Sequence, residues 1–378
     1  MKATAAPSSA RVPFGSLDAD YRERRGAIDA AIARVLSRGR FILGEEVESF
    51  ERELAAYLDV RHAVACASGT DAIAIALAAS GAGSEDEVLL PANACVPVIA
   101  GVRLAGAQPR LADVERATLT LSRAAAERAL GPRTRFLLAV HLYGGLADVE
   151  GLRALARDRS LVLVEDCAQS LGALADGRRA GSFGSASAFS FYPTKNLGAY
   201  GDAGSVATSD DSIAARARLL RQYGWTRRDF SEVEGRNSRM DELQAAILRA
   251  KLPYLEADNA RRREIVRRYD KGLADLPLRR PAALARTTPA PHLYPVLVSS
   301  REALREHLAG RGIETGIHYP VPIHLQPAYA FLGHSRGDFP VSEEASETVL
   351  SLPLYPTLAD DQVEAVISAM RDFFGRPR

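Results

Sequence analysis

Long apolar runs, clustered cysteines and an excess of one charge are all missing from this sequence of 378 residues. No stretch reaches the roughly 18 apolar residues of a membrane helix, and the first ten residues lack the apolar centre of a signal peptide. Because 48 basic residues face 47 acidic ones, no global field favours nucleic acid or an anionic membrane as a partner. These absences predict a cytoplasmic protein that binds neither.

Cysteine and lysine are both scarce. Cys66, Cys95 and Cys167 are too few and too scattered for a disulfide framework or a zinc site, so we predict reduced thiols and no metal. Only four of the 48 basic residues are lysines, and arginine cannot replace lysine where an amine must react. Lys195, which lies in a loop marked by proline and glycine, is therefore of particular interest.

The remaining composition is that of a folded protein, with 47% hydrophobic and 25% charged residues. From residue 62 onward, short apolar runs alternate with segments of helical length, a rhythm typical of a mostly parallel sheet with helices on both faces. A pair of antiparallel strands is predicted to extend that sheet, at residues 185–192 and 204–209. The predicted parallel strands are 62–68, 87–91, 109–114, 135–142 and 161–167.

The rest of the chain frames this alternating region. Two helices, 21–38 and 45–58, are predicted before it. After about residue 250 the pattern changes to a charged helix, a short strand and a last helix, while 318–340 is rich in Pro, Gly and His and predicts a functional loop. We predict three parts, a loose arm (1–12), a large domain (13–250) and a small α+β domain (251–378).

Polar groups follow three of the predicted strands, at the edge where open parallel sheets bind ligands. Residues 68–71 open a helix whose free N–H groups suit a phosphate, although ordinary N-capping gives the same pattern. Asp166 ends a buried strand and needs either a ligand cation or a structural ion pair. Lys195 lies on a turn five residues after Ser190, where a solvated lysine is the alternative. A phosphate cradle, a carboxylate and an amine are together what pyridoxal phosphate requires.

Four segments carry a family resemblance, namely SGTDA, EDCAQS, FSFYPTKNLGAYGDAGSV and RNSRMDELQAAIL. They closely resemble the DegT/DnrJ/EryC1/StrS aminotransferases, which use pyridoxal phosphate to aminate keto-sugars, mostly nucleotide-linked ones. The resemblance extends from about residue 12 to 374. It implies an α/β protein of fold type I (aspartate aminotransferase-like), with a mostly parallel central sheet and a smaller C-terminal α+β domain. It also implies a homodimer with composite active sites at the subunit interface.

The resemblance implies a role for each matching cofactor residue. Lys195 would bond the cofactor aldehyde and carry protons, Asp166 would pair with the pyridinium nitrogen, and Gln169 would bond the ring hydroxyl. The phosphate would be held by Gly69, Thr70, Ser190 and, from the partner subunit, Asn237. Cys95 stands where many relatives carry an aromatic residue that stacks on the ring, and a thiol has no π-face with which to stack.

Two further segments, HLYG (141–144) and IHYPVPIHLQPAY (317–329), resemble the sugar-nucleotide end of the family's site. Loop packing is the alternative for each of their polar residues. The implied substrate contacts are His141, Tyr143, His318, Tyr319 and His324.

The implied reaction moves an amino group from L-glutamate, through pyridoxamine phosphate, to a nucleotide-linked (dTDP) keto-deoxysugar in glycan or antibiotic biosynthesis. The same two segments favour amination at C3 over C4. A keto-cyclitol or a sugar phosphate as acceptor, or a non-catalytic sensor that binds pyridoxal phosphate, remain alternatives. Lys195 argues against the sensor and against the family's dehydratases, which have His at that position. A nicotinamide oxidoreductase would need GxGxxG after the first strand, and that motif is missing.

Overall fold

The computed structural model describes residues 11–375. Its helices are α1 (Leu17–Arg38), α2 (Glu45–Leu58), α3 (Gly69–Ala79), α4 (Val96–Leu104), α5 (Arg123–Ala129), α6 (Val149–Arg159), α7 (Asp211–Leu220), α8 (Glu242–Lys251), α9 (Leu255–Gly272), α10 (Arg301–Ala309), α11 (Pro340–Thr348) and α12 (Asp360–Phe373). Its strands are β1 (His62–Cys66), β2 (Glu87–Pro91), β3 (Gln108–Ala112), β4 (Thr134–Val140), β5 (Val162–Asp166), β6 (Leu174–Ala175), β7 (Arg178–Arg179), β8 (Ala186–Ser190), β9 (Gly204–Thr208), β10 (Trp225–Arg227), β11 (Phe230–Ser231), β12 (Thr287–Thr288), β13 (Tyr294–Leu297) and β14 (Val349–Leu352).

The central sheet has seven strands in the order β1-β9-β8-β5-β4-β2-β3. Six of them run parallel, and β9 alone runs antiparallel to both of its neighbours. The predicted parallel α/β sheet is thus confirmed, and so is the antiparallel pair, which is β8 with β9. In this register Asp166 lies between Val140 on β4 and Ala188 on β8. The carboxyl ends of these three strands therefore meet at one edge.

Burial on both faces explains why these runs form the sheet. All five residues of β2 are buried, as expected for a parallel strand covered by helices on each side. Helix α3, whose mostly apolar residues are also buried, packs between the sheet and α4. Within residues 11–375, no helix is both long and apolar enough to cross a membrane.

The C-terminal part has its own apolar cluster around the antiparallel pair β13–β14. Helices α9, α10 and α12 supply many of its other members, with Ile265, Leu304 and Met370 among those fully buried. The predicted boundary near residue 250 falls at the end of α8 and stays a prediction. The segment 318–340 carries two short 3-10 turns, Ile323–Leu325 and Pro327–Leu332.

The predicted loose arm needs a correction at its last residues. Residues 1–10 lie outside the described residues. Val12, however, is only 1% exposed, forms a parallel bridge with Ile313 and donates its N–H to the Gly312 carbonyl at 2.9 Å. An apolar side chain with a backbone partner is held in place, so the chain is anchored from residue 12 onward.

Candidate active site

Lys195 lies on a tight turn that follows β8. Its backbone N–H donates to the Tyr192 carbonyl at 2.8 Å, and a Cβ on Gly198 would lie 2.2 Å from the Pro193 carbonyl oxygen, so the turn closes only over glycine. Burial lowers the pKa of the Lys195 amine, while Cys95 and Asp166 act in the opposite direction. A lowered pKa increases the fraction of free amine near neutral pH, as a reactive lysine requires.

Asp166 is the last residue of β5 and is 4% exposed. Its Oδ1 accepts a hydrogen bond from the Ala168 N–H at 3.0 Å, and Oδ2 has no hydrogen-bond donor among residues 11–375. Burial raises the pKa of Asp166, and this outweighs the lowering by the Ala168 amide and by Lys195. A buried carboxylate with one free oxygen is stabilised by a cation placed at that oxygen.

The N-terminus of α3 lies directly against the end of β8. Ser68 caps the helix by accepting from the Asp71 N–H at 3.1 Å, and the amides of Gly69 and Thr70 lie in the first turn, where helical N–H groups have no intrahelical acceptor. A Cβ on Gly69 would lie 2.5 Å from Cβ of Ser190 and 2.9 Å from its Oγ. Glycine is therefore needed for the close approach of the helix to Ser190.

Gln169 is part of a hydrogen-bonded group of predicted site residues. Its Oε1 accepts from the Tyr143 N–H at 2.7 Å, and its Nε2 donates to the Tyr319 hydroxyl at 3.0 Å. The Tyr143 hydroxyl donates to the His318 carbonyl at 2.5 Å. The structure thus brings together Gln169, Tyr143, Tyr319 and His318, from three separate segments of the sequence.

Cys95 belongs to the same neighbourhood. It precedes α4, and its thiol lies within the electrostatic reach of Asp166, Lys195 and Tyr319. Burial raises the pKa of Cys95 to about 11, so the group is a neutral thiol at physiological pH. The structure therefore places Cys95 beside the predicted site residues.

A cavity of about 210 Å³ opens on one side of Lys195. His318 lines it, and burial together with Lys195 lowers the pKa of that imidazole to about 4. Three other lining residues, Asn196, Arg262 and His292, were not assigned from the sequence. Arg262 and His292 lie more than sixty residues beyond Lys195 in the sequence. Arg262 is part of a charged helix and His292 of a proline-rich segment, and neither pattern by itself indicates a site.

These residues fit pyridoxal phosphate. Asp166 offers a free carboxylate oxygen to a ring cation, and the amides of Gly69 and Thr70 with Ser190 offer donors to a phosphate. Lys195 offers an amine that has no hydrogen-bond partner among residues 11–375, and its pKa is lowered. The fit rests on the chemistry of the groups that β1, β5 and β8 bring to one edge.

A model of the DegT/DnrJ/EryC1/StrS aminotransferase family matches residues 23–371. The chain belongs to this family. As a DegT/DnrJ/EryC1/StrS aminotransferase it is an enzyme that uses pyridoxal phosphate, as the sequence predicted.

Relatives of this aminotransferase agree over nearly its full length. A Streptomyces venezuelae protein named dTDP-3-amino-3,4,6-trideoxy-alpha-D-glucose transaminase is 46% identical over 367 residues, which cover 97% of each chain. The crystal structure of S. venezuelae DesV in complex with a ketimine intermediate has a TM-score of 0.95 and 46% identity, over 97% of this chain and 100% of that one. NtdA from Bacillus subtilis, solved with the cofactor PMP, has a TM-score of 0.91 and 30% identity, over 99% and 87%. The predicted fold type I architecture is confirmed.

Two histidines predicted to contact substrate in this aminotransferase, His141 and His324, are buried in the protein interior. His141 is 1% exposed, its Nδ1 accepts from the Ala147 N–H at 3.1 Å, and its Nε2 bonds Glu165 at 3.0 Å. His324 is 2% exposed and bonds Glu343 at 2.8 Å. Both imidazoles are enclosed and bond carboxylates of the protein, and their contact with substrate stays a prediction.

His141 and Glu165 also form, with Cys167, the one group of potential metal ligands found among residues 11–375. Three backbone amides and His141 already occupy the two Glu165 oxygens, and both His141 nitrogens are bonded. The group is explained by these hydrogen bonds, and it requires no ion.

Asn237 is not brought into the cavity of its own chain. It is exposed, whereas its neighbour Ser238 is buried and donates from Oγ to Asp71 of α3 at 2.8 Å. Phe230 and Val233, on the stretch that leads to Asn237, are exposed apolar residues, at 46% and 44%. Two exposed apolar side chains therefore lie, among charged ones, on the stretch that precedes Asn237.

Proposed function

We propose that this aminotransferase moves an amino group from L-glutamate to a nucleotide-linked keto-deoxysugar. The observation that carries the proposal is the 46% identity, over 97% of both chains, to a transaminase named for a dTDP-3-amino sugar. The residue geometry supports it, because Lys195, Asp166 and the start of α3 meet at the edge of the sheet beside an open cavity.

The residues of this chain divide the work between binding and proton transfer. Pyridoxal phosphate, when bound, supplies the carbonyl group that receives the amine and a ring that withdraws electrons. Asp166 keeps a proton on the ring nitrogen, since a carboxylate at that position favours the charged form. Lys195 takes up and returns protons at Nζ, as a general base and acid whose pKa is lowered by burial. Gly69, Thr70 and Ser190 bind the phosphate.

The acceptor ketone is at C3 rather than C4 in this proposal. The Streptomyces venezuelae relative is named for a 3-amino sugar, which supports C3. Regiochemistry depends on how the sugar is turned over the site, which is a matter of positioning by His318, Tyr319 and their neighbours.

An assay with L-glutamate and a matched pair of acceptors tests the proposal. We expect turnover of a dTDP-3-keto-6-deoxyhexose and little of the dTDP-4-keto isomer. The reverse preference would reject C3. Activity on neither, but on a free keto-cyclitol or a keto-sugar phosphate, would reject the nucleotide-sugar assignment. Binding of pyridoxal phosphate with no half-reaction on L-glutamate would favour the sensor alternative.

We also propose a homodimer in which Asn237 reaches the phosphate of the partner subunit. The exposure of Asn237 supports this arrangement, because a side chain on the surface of one subunit is available to a partner. Mixing inactive Lys195→Ala with impaired Asn237→Ala should restore activity, because one site of the heterodimer then has both native residues. No recovery after verified subunit exchange, or a monomer in sedimentation, would reject the composite site.

A further inference from the structure

Arg262 is a buried cation on the cavity wall, and it forms no ion pair with another of the described residues. It is 5% exposed, and its Nη1 donates to the Leu354 carbonyl at 2.8 Å and, at 3.5 Å, to the His292 carbonyl. Its Nε is buried without a hydrogen-bond partner, and no carboxylate among residues 11–375 forms an ion pair with it. Asp258 is the carboxylate that acts electrostatically on Arg262, but it is ion-paired with Arg24, so an anion in the cavity would stabilise this wall.

The two carboxylates that also line the cavity are already engaged. Asp20 pairs with Arg24 and with Lys251, whose Nζ lies 2.8 Å from Oδ2. Asp258 pairs with Arg24 at 2.7 Å. Three cations, Arg24, Lys251 and Arg262, therefore share two carboxylates. Arg262 is the one of the three that forms no ion pair. The wall is suited to one additional negative group.

Next to Arg262, a chain of hydrogen bonds fixes the tautomer of His292. The Leu171 carbonyl can only accept, so Asn259 Nδ2 donates to it at 3.0 Å and Asn259 Oδ1 must accept from Asn196 Nδ2 at 2.8 Å. Asn196 Oδ1 is then the acceptor for the Nδ1–H of His292 at 3.2 Å. Burial lowers the pKa of His292 well below its usual value, so the ring is neutral and Nε2 carries a lone pair. His292 lines the cavity, and Nε2 has no partner among the described residues.

A guanidinium and a hydrogen-bond acceptor beside Lys195 match the two charged groups of an α-amino acid. We propose that this wall is the amino-donor subsite, where Arg262 binds a carboxylate of L-glutamate and His292 Nε2 accepts a hydrogen bond from its ammonium group. The proposal rests on the proposed function, because it names where the donor of that reaction binds.

A carboxylate fits this wall better than the diphosphate of a nucleotide sugar. The α-carboxylate of an amino acid is attached to the carbon that bears the reacting amine, so it must lie close to Lys195. A diphosphate is separated from the reacting ketone by the sugar ring. One guanidinium also matches the single charge of a carboxylate, whereas a diphosphate needs several cations.

The two half-reactions can be measured separately on the holoenzyme, and only one of them involves the donor. With Arg262→Met we expect the apparent Kd for L-glutamate, from stopped-flow absorbance of the cofactor, to rise about 10- to 100-fold. Conversion of the dTDP-keto-sugar by the pyridoxamine form should change less than about threefold. Arg262→Lys should lie between wild type and Arg262→Met, because it keeps the charge and loses the planar fork.

Arg261→Met is the matched control, since Arg261 is adjacent on α9 and also bonds a C-terminal carbonyl, that of Leu358, at 2.8 Å. It should leave both half-reactions near wild type. Wild-type affinity for L-glutamate in Arg262→Met would overturn the subsite, and so would an equal loss in both half-reactions. If Arg262→Met lost dTDP binding and kept L-glutamate binding, Arg262 would be assigned to nucleotide binding and the subsite would be rejected. Absence of any glutamate half-reaction in wild type would instead reject the proposed function.

Two truncated donors give a readout that tolerates partial misfolding of the variant. L-2-aminobutyrate lacks the distal carboxylate of glutamate, and 4-aminobutyrate lacks the α-carboxylate. If Arg262 binds one of the two carboxylates, the preference of wild type for glutamate over the donor lacking that group should collapse in Arg262→Met, while the other preference persists. Preferences unchanged for both donors would overturn the proposal, because they are ratios within one enzyme preparation.

Discussion

Glu165 and Asp166 are consecutive residues of β5 and both are buried, yet their surroundings are opposite. The oxygens of Glu165 accept from three backbone amides, those of Gly181, Phe183 and Gly184, at 2.7–2.9 Å, and from His141 at 3.0 Å. Asp166 accepts from one amide only and faces Lys195. Successive side chains of a strand point to opposite sides, so one strand end serves two different environments.

The pKa values of the two carboxylates move in opposite directions as a result. Burial raises the pKa of both. For Glu165 the hydrogen bonds from His141 and the amides outweigh burial and lower it on balance, whereas for Asp166 burial prevails. A carboxylate whose partners are all in the protein stabilises the fold, and one that lacks them is available to a ligand cation.

The largest loss of turnover should follow removal of the Lys195 amine, which Asp166 faces. Lys195→Ala should lower turnover by at least about 10³-fold, because the chain then has no group that bonds the cofactor or moves the proton. Steady-state rates measure the loss. Borohydride reduction of wild type, followed by peptide mapping, should place the label on Lys195. A label on Lys251 or Lys271 would contradict the assignment.

A large but smaller loss of rate is expected for Asp166→Asn. Removing the charge that favours a protonated ring nitrogen should lower kcat by about 10²–10³-fold, the scale of one lost electrostatic contact in a transition state. Stability of the apoenzyme should be unchanged or slightly higher, since an unpaired buried charge is removed. Wild-type turnover, or a marked drop in the unfolding midpoint, would contradict the proposed role.

Glu165→Gln, in contrast to Asp166→Asn, should lower the free energy of unfolding more than it lowers turnover. An amide in place of the carboxylate loses charge and directs N–H groups at donors, which costs about 1–3 kcal/mol of unfolding free energy. Urea unfolding of the apoenzyme measures it. The comparison of the two carboxylates fails if Glu165→Gln retains full stability while Asp166→Asn loses it.

The smallest expected effect is the pH dependence of that stability difference. Because the folded-state pKa of Glu165 is lowered, its contribution is fully present above its unfolded value of about 4.3 and is lost as the pH falls through the folded-state pKa. The difference between wild type and Glu165→Gln should therefore be constant from neutral pH to about pH 5 and shrink below about pH 4. A difference that grows in acid would indicate another cause.

The sequence pattern indicated a role for Asp166 at the end of β5, but it did not indicate the partners of Glu165 on the same strand. Lys195, Asp166 and Gly69 lie in local patterns of strand, turn and helix start, so their chemistry can be inferred from neighbours along the chain. The partners of Glu165 come from residues 141 and 181–184, and those of Arg262 from residues 292 and 354. Only tertiary packing brings such residues together. The carboxylate partners of His141 and His324 could not be predicted either, since a histidine in a motif does not reveal which carboxylate it meets.

The antiparallel strand β9 also constrains how the protein is made. β1, which precedes the phosphate cradle, is hydrogen-bonded to β9 and to no other strand among the described residues. A ribosome adding about 5–20 residues per second must therefore produce residues 204–208 before residues 62–66 can be fixed. Until then β1 has no hydrogen-bonded neighbour in the sheet. We expect the nascent chain to acquire its affinity for the cofactor only after β9 is synthesised, so the site is among the last features of the large sheet to form.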